Sequence, residues 1–494
     1  MNKISHSIQK VFLEIDTPSM AMANSVKNNL AVFLQKEVIP VFEKHFNSIN
    51  DTENQVIQIE KLEINLQSII GKNDISFSNS HIKNQIEKEV QKALNELQKT
   101  LKNKDKSSSE IRTISPELKD LKTLLYFIEN GTMPWWVSNG NEPVFLKKIN
   151  PEELKNDVFS ISFKKLIEQK KVQNRIINQF SNQEIALLSS AVLGLEKQQK
   201  AISKNTLIEL LNQKTHTFKT AFWQLIFDFW IKKKSLSLIK YYYKEHSQFS
   251  AHKIIFEDFI ENIKTFVPLD FTTAELIQMK KDYLVSEKEK QTINIKTNPD
   301  TINKETKPEL EIHLKEESAI EDDDQEDSTN FKSCYVQNAG LIILHPFLKE
   351  MLKSCDLMDD NNTLLNKELA VHILHYAATK RENDYEHLML FEKFLCGIPL
   401  EESIQREIKI EDKHKQEVEE MLESAVYHWS ALKNTSTAVL RSEFLQREGK
   451  LDWSESNPKL TIERKTQDLL LEKIPWNISI VKIPWIQKLI YTQW

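Results

Sequence analysis

The sequence predicts an α+β protein that is predominantly α-helical. It reads as a small strand-helix-strand N-terminal α/β module over residues 1–101, a helical middle region over 111–285, an acidic linker over 286–330 and a C-terminal α+β module over 331–494. That last module is mostly helical with a few short strands. Three observations carry this reading. Residues 152–267 contain no proline and one glycine, Gly194, and so few breakers favour helices joined by short polar turns. Elsewhere apolar residues recur at helical spacing, most strongly over Asp412–Trp429. Short alternating segments lie near both ends.

In Gln9–Asp16, Val11, Leu13 and Ile15 alternate with Lys10, Glu14 and Asp16, which predicts a half-buried strand. Thr17 and Pro18 suit the N-cap and first position of a helix carrying Met22, Val26, Leu30, Phe33 and Leu34, which Pro40 should kink or end. A second strand is expected over Val56–Leu66. Its apolar parity changes after Ile59, and a β-bulge near Glu60–Lys61 would reconcile the two halves. Ile82, Ile86, Val90, Ala93, Leu94, Leu97 and Leu101 then form one helical stripe, followed by a Lys/Ser-rich linker over 102–109.

Residues 111–285 read as helical throughout, with turns marked by clusters such as Ser181–Asn182 and Ser203–Asn205. Residues 286–330 differ in kind. They hold 14 acidic and 6 basic residues, no aromatic residue, and a run of six acids in seven over Glu321–Asp327. Such a segment buries too little apolar area to offset its ordering entropy and reads as a solvated, disordered linker. In the C-terminal module Asn366 is the expected cap of a helix through Lys380, and Gly397 a stop with Pro399 beyond it. Ser436 should cap a helix ending at Gly449. Leu460–Arg464 and Ile478–Ile483 read as short strands around a helix at 466–473, and the apolar C-terminus through Trp494 reads as docked.

Composition narrows the function classes. Only 7 of 494 residues are glycine, and no two lie within five positions of each other. G-x-G-x-x-G, Walker A and G-x-S-x-G sequences are therefore missing, and with them the close backbone approach that phosphates and strained nucleophiles require. Three cysteines, Cys334, Cys355 and Cys396, are too few for a disulfide framework and fit a reducing compartment. No secretory h-region opens the chain and no spanning apolar run occurs, so neither export nor stable membrane insertion is expected. A net charge of −6 does not favour nucleic acid.

Cys334, Cys355, His345, His372 and His375 are close enough in sequence to suggest zinc, but their spacing lacks paired ligands, so buried thiols and ordinary imidazoles are expected. Phe218–Trp230 is the most aromatic segment and reads as a core helix, with Phe222, Leu225, Ile226 and Phe229 on one stripe, rather than a membrane-surface helix. Three Pro–Trp pairs occur: Pro134 with Trp135 and Trp136, Pro475 with Trp476, and Pro484 with Trp485. Proline fixes φ and tryptophan carries a large apolar surface, so each pair is a rigid anchor. Packing and partner docking remain equally open for them. No catalytic constellation, cofactor site or metal site is expected.

Several words of the sequence carry a resemblance. They are IQKVFLEID (8–16), IQIEKLEINL (57–66), YFIENGTMPWW (126–136), GLIILHPFL (340–348), LCGIPLEE (395–402), HWSALKNTS (428–436), FLQREGKL (444–451) and PWNISIVKIPW (475–485). Together they resemble the contractile injection system tape measure family of phage-tail-like particles, both extracellular and type VI-like. The resemblance implies a non-enzymatic assembly protein that sets or templates inner-tube length. The alternative within the same particle is a baseplate-proximal adaptor or cargo-loading chaperone. Implied partners are inner-tube and baseplate proteins, with self-association, and without nucleic acid or a membrane. The implied location is the cytoplasm during assembly and then the tube lumen or baseplate.

Overall fold

The computed structural model describes residues 6–9, 11, 12, 14, 20, 24, 30, 33–47, 56–65, 80–102, 111–137, 154, 156–192, 206–232 and 333–494. The fold is α+β and mainly helical, and it divides into two compact units, Met1–Phe163 and Lys164–Trp494. The expected helix at Thr17–Pro18, the linkers 102–109 and 286–330 and the turn at Ser203–Asn205 lie largely or wholly outside the described residues.

In the first unit, helix α1 (Ile39–Asn47) and helix α2 (Ser80–Lys102) pack together through Val41, Ile86, Val90 and Leu94. Pro40 does not end the first of them. A π-turn over Leu34–Val38 runs straight into α1, and the Ile39 N–H reaches back to Leu34 O. One extra residue in the turn moves the preceding carbonyls out of the way of the proline ring. Strand β1 (Val56–Ile59) pairs antiparallel with strand β2 (Ile111–Ile114), Val56 opposite Ile114.

Three expectations are corrected here. Among the described residues of Gln9–Asp16, namely Gln9, Val11, Phe12 and Glu14, none is in a strand, and Phe12 is 81% exposed. Alternation states which face a strand would bury but supplies no neighbour to pair with. The parity change in Val56–Leu66 is a strand end at Glu60 rather than a bulge; Leu62 and Ile64 leave the sheet and pack on the α1–α2 cluster. Residues 111–114 are strand, not helix. Helix α3 (Pro116–Asn130) follows at once. Ser115 caps it, its Oγ accepting from the Leu118 N–H at 3.2 Å, and Pro116 fills the first turn, where no N–H is needed. Gly131 stops it at φ 72°, its N–H donating to Phe127 O.

Helix α4 (Asp157–Leu166) contains the division between the units. The second unit continues with α5 (Lys170–Gln179), α6 (Asn182–Val192), α7 (Thr206–Asn212) and α8 (His216–Lys232). Ser181 and Glu184 form a capping box at the start of α6: the Glu184 N–H donates to Ser181 Oγ and the Ser181 N–H to Glu184 Oε2. The aromatic segment is a core helix as expected. It buries more than the anticipated stripe, because Phe218, Trp223 and Phe227 are enclosed along with Phe222, Leu225 and Ile226. The Trp223 indole N–H donates to Asn182 Oδ1 at 2.8 Å.

Residues 333–494 build a five-stranded sheet in the order β3 (Ser333–Val336), β4 (Gly449–Asp452), β5 (Lys459–Ile462), β7 (Ile490–Gln493), β6 (Ile480–Val481), antiparallel except for the β5–β7 pair. One face buries Val336, Leu451, Leu460, Ile462, Val481 and Ile490. Against it lie the 3-10 turn Ala339–Leu344 and helices α9 (His345–Ser354), α10 (Lys367–Thr379), α11 (Leu390–Leu395), α12 (Asp412–His428) and α13 (Thr437–Leu440). Asn366 caps α10 through Leu369 N–H at 3.0 Å, and Gly397 takes φ 65° just past α11. The strand expectations at Leu460–Arg464 and Ile478–Ile483 are met by β5 and β6, and β7 with Trp494 packs on the core. Ser436 stands at the N-cap position of α13 but its side chain makes no capping bond, and Gly449 does not stop that helix. That helix passes into a π-turn ending at Leu445, and Gly449 opens β4 instead. A Cβ there would lie 2.6 Å from Ala339 Cβ.

Gly340 is tighter still, since a Cβ would fall 1.7 Å from Phe444 O. Gly340→Ala is expected to cost about 3 kcal/mol or more, because backbone must move. Gly397→Ala meets nothing nearer than Lys367 Nζ at 4.0 Å and only a left-handed φ, so it should cost about 1 kcal/mol. Denaturant midpoints of the two variants check the difference.

Candidate functional site

The chemistry-bearing residues of the second unit converge on the turn that follows α11. Arg175 on α5, Glu386 in the 3-10 turn Glu386–Leu388 and Lys393 on α11 are all fully buried. Glu386 lies between the two cations: Arg175 Nε donates to Oε1 at 2.6 Å and Lys393 Nζ to Oε2 at 3.2 Å. The surplus positive charge is met by backbone dipoles. Leu400 O accepts from Lys393 at 2.9 Å, Glu402 O accepts from the same ammonium, and Glu401 O accepts from Arg175. Gly397 makes this possible by turning the chain left-handed after α11, so three successive carbonyls face the cations. Burial pushes the Lys393 ammonium below its usual range, and the Glu386 carboxylate opposes that push.

A second cluster lies on α10. The buried His375 ring has a carboxylate on each nitrogen, Asp384 at 2.8 Å on Nε2 and Glu392 at 2.9 Å on Nδ1. Asn338, held at φ 55°, donates to Glu392 Oε1 at 2.8 Å. Burial alone would lower the His375 pKa; the two carboxylates outweigh it and raise the value to about 9, so the ring is an imidazolium. His372, one turn away, has Gln405 O at 2.8 Å from Nε2 and is pushed down by burial. Burial drives His387 to about 3.

The zinc-like set does not come together. His345 bonds Ile342 O, His372 bonds Gln405 O, and His375 is taken by carboxylates. Burial pushes the thiols of Cys334 and Cys355 up to about 12 and that of Cys396 higher, so all three are protonated and poor nucleophiles. Among the described residues no group of three or more His, Cys, Asp or Glu side chains is placed to hold a metal ion. In a cleft of about 420 Å³ beside Asn366, Lys367, Glu368 and Pro399, Lys367 Nζ donates to Gly397 O and Glu368 accepts from Gln405 N–H.

The Pro–Trp residues are placed as follows. Pro134 is buried, Trp135 is 41% exposed, and half-buried Trp136 donates to Thr123 Oγ1 at 2.9 Å and meets Tyr126 edge-on. Pro475 and Pro484 are exposed at the surface, while Trp476 and Trp485 are half-buried. Their indole N–H groups donate to Ile343 O at 2.9 Å and Leu395 O at 2.7 Å. Trp429 donates to Leu470 O and packs on Phe444. The sequence words GLIILHPFL, LCGIPLEE, HWSALKNTS, FLQREGKL and PWNISIVKIPW are thus neighbours around one core.

A family model described as contractile injection system tape measure protein matches residues 5–494. The chain belongs to this family. No curated protein and no solved structure matches it. The family match covers both units and every word named above. Among the described residues no helix is long and apolar enough to cross a membrane.

Sequence reasoning missed Arg175, Glu386 and Lys393 altogether, and read His375 only as an ordinary imidazole. The His375 site has a pH signature. Below about pH 6.5 folded and unfolded chains both hold this proton, and its stabilisation is complete. As pH rises from about 6.5 to about 9 the unfolded chain releases the proton first, so stability falls. His387 and His216, depressed by burial to about 3 and about 4, act oppositely: their contributions are present above about 6.5 and lost as pH falls. Denaturant titrations should therefore show a decline between pH 6.5 and 9 that His375→Gln flattens. The acid-side decline should survive that substitution.

Proposed function

We propose that the protein is a non-enzymatic structural protein of a contractile injection particle and acts as the tape measure that sets or templates inner-tube length. The observation that carries this is the family match over 5–494. The chemistry of the described residues supports it, since the titratable clusters are bonded into the fold rather than aimed at an open site. Inner-tube and baseplate subunits are the proposed partners, met in the cytoplasm during assembly and kept in the tube lumen or baseplate. Pro134, Trp135, Trp136, Pro475, Trp476, Pro484 and Trp485 are the candidate anchors, with Trp135 offering the most exposed ring for docking.

A second reading, a baseplate-proximal adaptor or cargo chaperone, is favoured by one feature of the fold. The longest described helix, α2 with 23 residues, spans only about 35 Å at ~1.5 Å per residue, and 333–494 closes on its own core. The two readings part on length. An insertion of 40 residues into the acidic segment 286–330 interrupts none of the described elements. A ruler then lengthens the particle by about 60 Å if the insert is helical and up to about 130 Å if extended. Equal deletions shorten it. Electron micrographs of purified particles measure this; unchanged length with the variant incorporated removes the ruler and supports the adaptor.

A further inference from the structure

The second unit is joined along a polar seam. The apolar core of the C-terminal region runs from Val336 to Ile490 and, among the described residues, takes no side chain from 164–232. The helices α5 to α8 bury their own apolar residues, Val172, Ile176, Phe222 and Leu225 among them. What joins the two is the C-terminal end of α5 against residues 383–406. There the Glu386 N–H donates to Gln179 Oε1 at 2.8 Å, and Gln179 Nε2 donates to Ile404 O at 2.8 Å. Asn178 Nδ2 donates to Ser403 Oγ at 2.9 Å, and the Arg406 N–H donates to Asn178 O at 2.9 Å. The Arg175–Glu386 ion pair closes the seam, together with a Phe180–Tyr385 ring contact and the Arg406 guanidinium 4.0 Å from the Tyr385 ring.

Such a seam differs from a core in what happens when it opens. Apolar surface exposed to water loses its whole transfer energy. Charges and amides exposed to water regain hydration, which offsets much of the lost pairing. The C-terminal side is also left without an orphan charge. When Arg175 departs, Glu386 keeps Lys393 at 3.2 Å, and Lys393 keeps the carbonyls of Leu400 and Glu402. Two bodies with separate apolar cores, joined by groups that are satisfied in water and on one side already paired, are built to part.

We propose that the docking of α5 on residues 383–406 is a releasable latch, so that the helical body 164–232 and the C-terminal body 333–494 separate without either core unfolding. This stands whether the chain is a ruler or an adaptor.

Hydrogen–deuterium exchange on the full-length chain tests the latch. The readout is the amides of Glu386 and Arg406, whose acceptors Gln179 Oε1 and Asn178 O lie across the seam. Arg175→Ala should lower the protection of these two amides at least tenfold, while α5, α10 and α12, each bonded within its own body, stay within about twofold. A second variant ties the seam: Asn178→Cys with Ser403→Cys replaces a hydrogen-bonded pair by a disulfide. Its oxidised form, carrying Arg175→Ala, should recover protection at 386 and 406 to within about twofold of wild type. Loss of protection in α5, α10 or α12 on Arg175→Ala, or global unfolding, would overturn the latch. So would failure of the oxidised disulfide to restore the two amides.

Discussion

One carboxylate organises the second unit. Glu386 is wholly buried, and a buried charge of that size is tolerable only with a partner and with its lone pairs engaged. It has two partners, Arg175 and Lys393, 211 and 7 residues away in the chain. Two cations on one anion leave one positive charge over. The turn after Gly397 answers it with the carbonyls of Leu400, Glu401 and Glu402. The backbone path of 397–402, the placement of α5 and the direction of α11 are therefore parts of one electrostatic solution. The neighbouring His375 cluster repeats the logic with opposite signs, an imidazolium between Asp384 and Glu392.

Around these clusters the apolar core is closed by backbone contacts that tolerate no extra atom. Gly340 lies under Phe444 O and Gly449 against Ala339, so the 3-10 turn, the π-turn after α13 and strand β4 meet at backbone distance. The tryptophans tie the periphery to this centre through carbonyls of Ile343, Leu395 and Leu470. The bonds to Ile343 and Leu395 each link two segments of the sequence that carry the family resemblance. Five of the eight segments that carry the resemblance meet in this one core.

Elements that rest on local chemistry were legible in the sequence. The cap at Asn366, the stop at Gly397, the stripe of α2 and the amphipathic α12 follow from spacing within a few turns. Elements decided by distant partners were not. Strand β2 is four residues long, too short to display alternation, and it exists because β1 lies beside it. The π-turns at Leu34–Val38 and Arg441–Leu445 have no compositional mark. The candidate site was least visible of all. Arg175 stands in KKVQNRIINQ, where a charge reads as a solvated face, and only a carboxylate 211 residues away makes its burial possible. The Pro–Trp pairs were visible as anchors, and the structure shows Trp136, Trp476 and Trp485 bonded within their own units.

The dependence of the second unit on Glu386 is measured most directly by a double-mutant cycle on unfolding free energy. Arg175→Met, Glu386→Gln and the pair of them would be compared with wild type in denaturant. Glu386→Gln strands two buried cations and should cost about 3–5 kcal/mol. Arg175→Met leaves Glu386 with Lys393 and should cost clearly less. The double variant should fall short of the sum of the two by about 1–3 kcal/mol. Costs that add within about 0.5 kcal/mol, or an Arg175 variant as damaging as the Glu386 one, would contradict an account in which one carboxylate balances both cations.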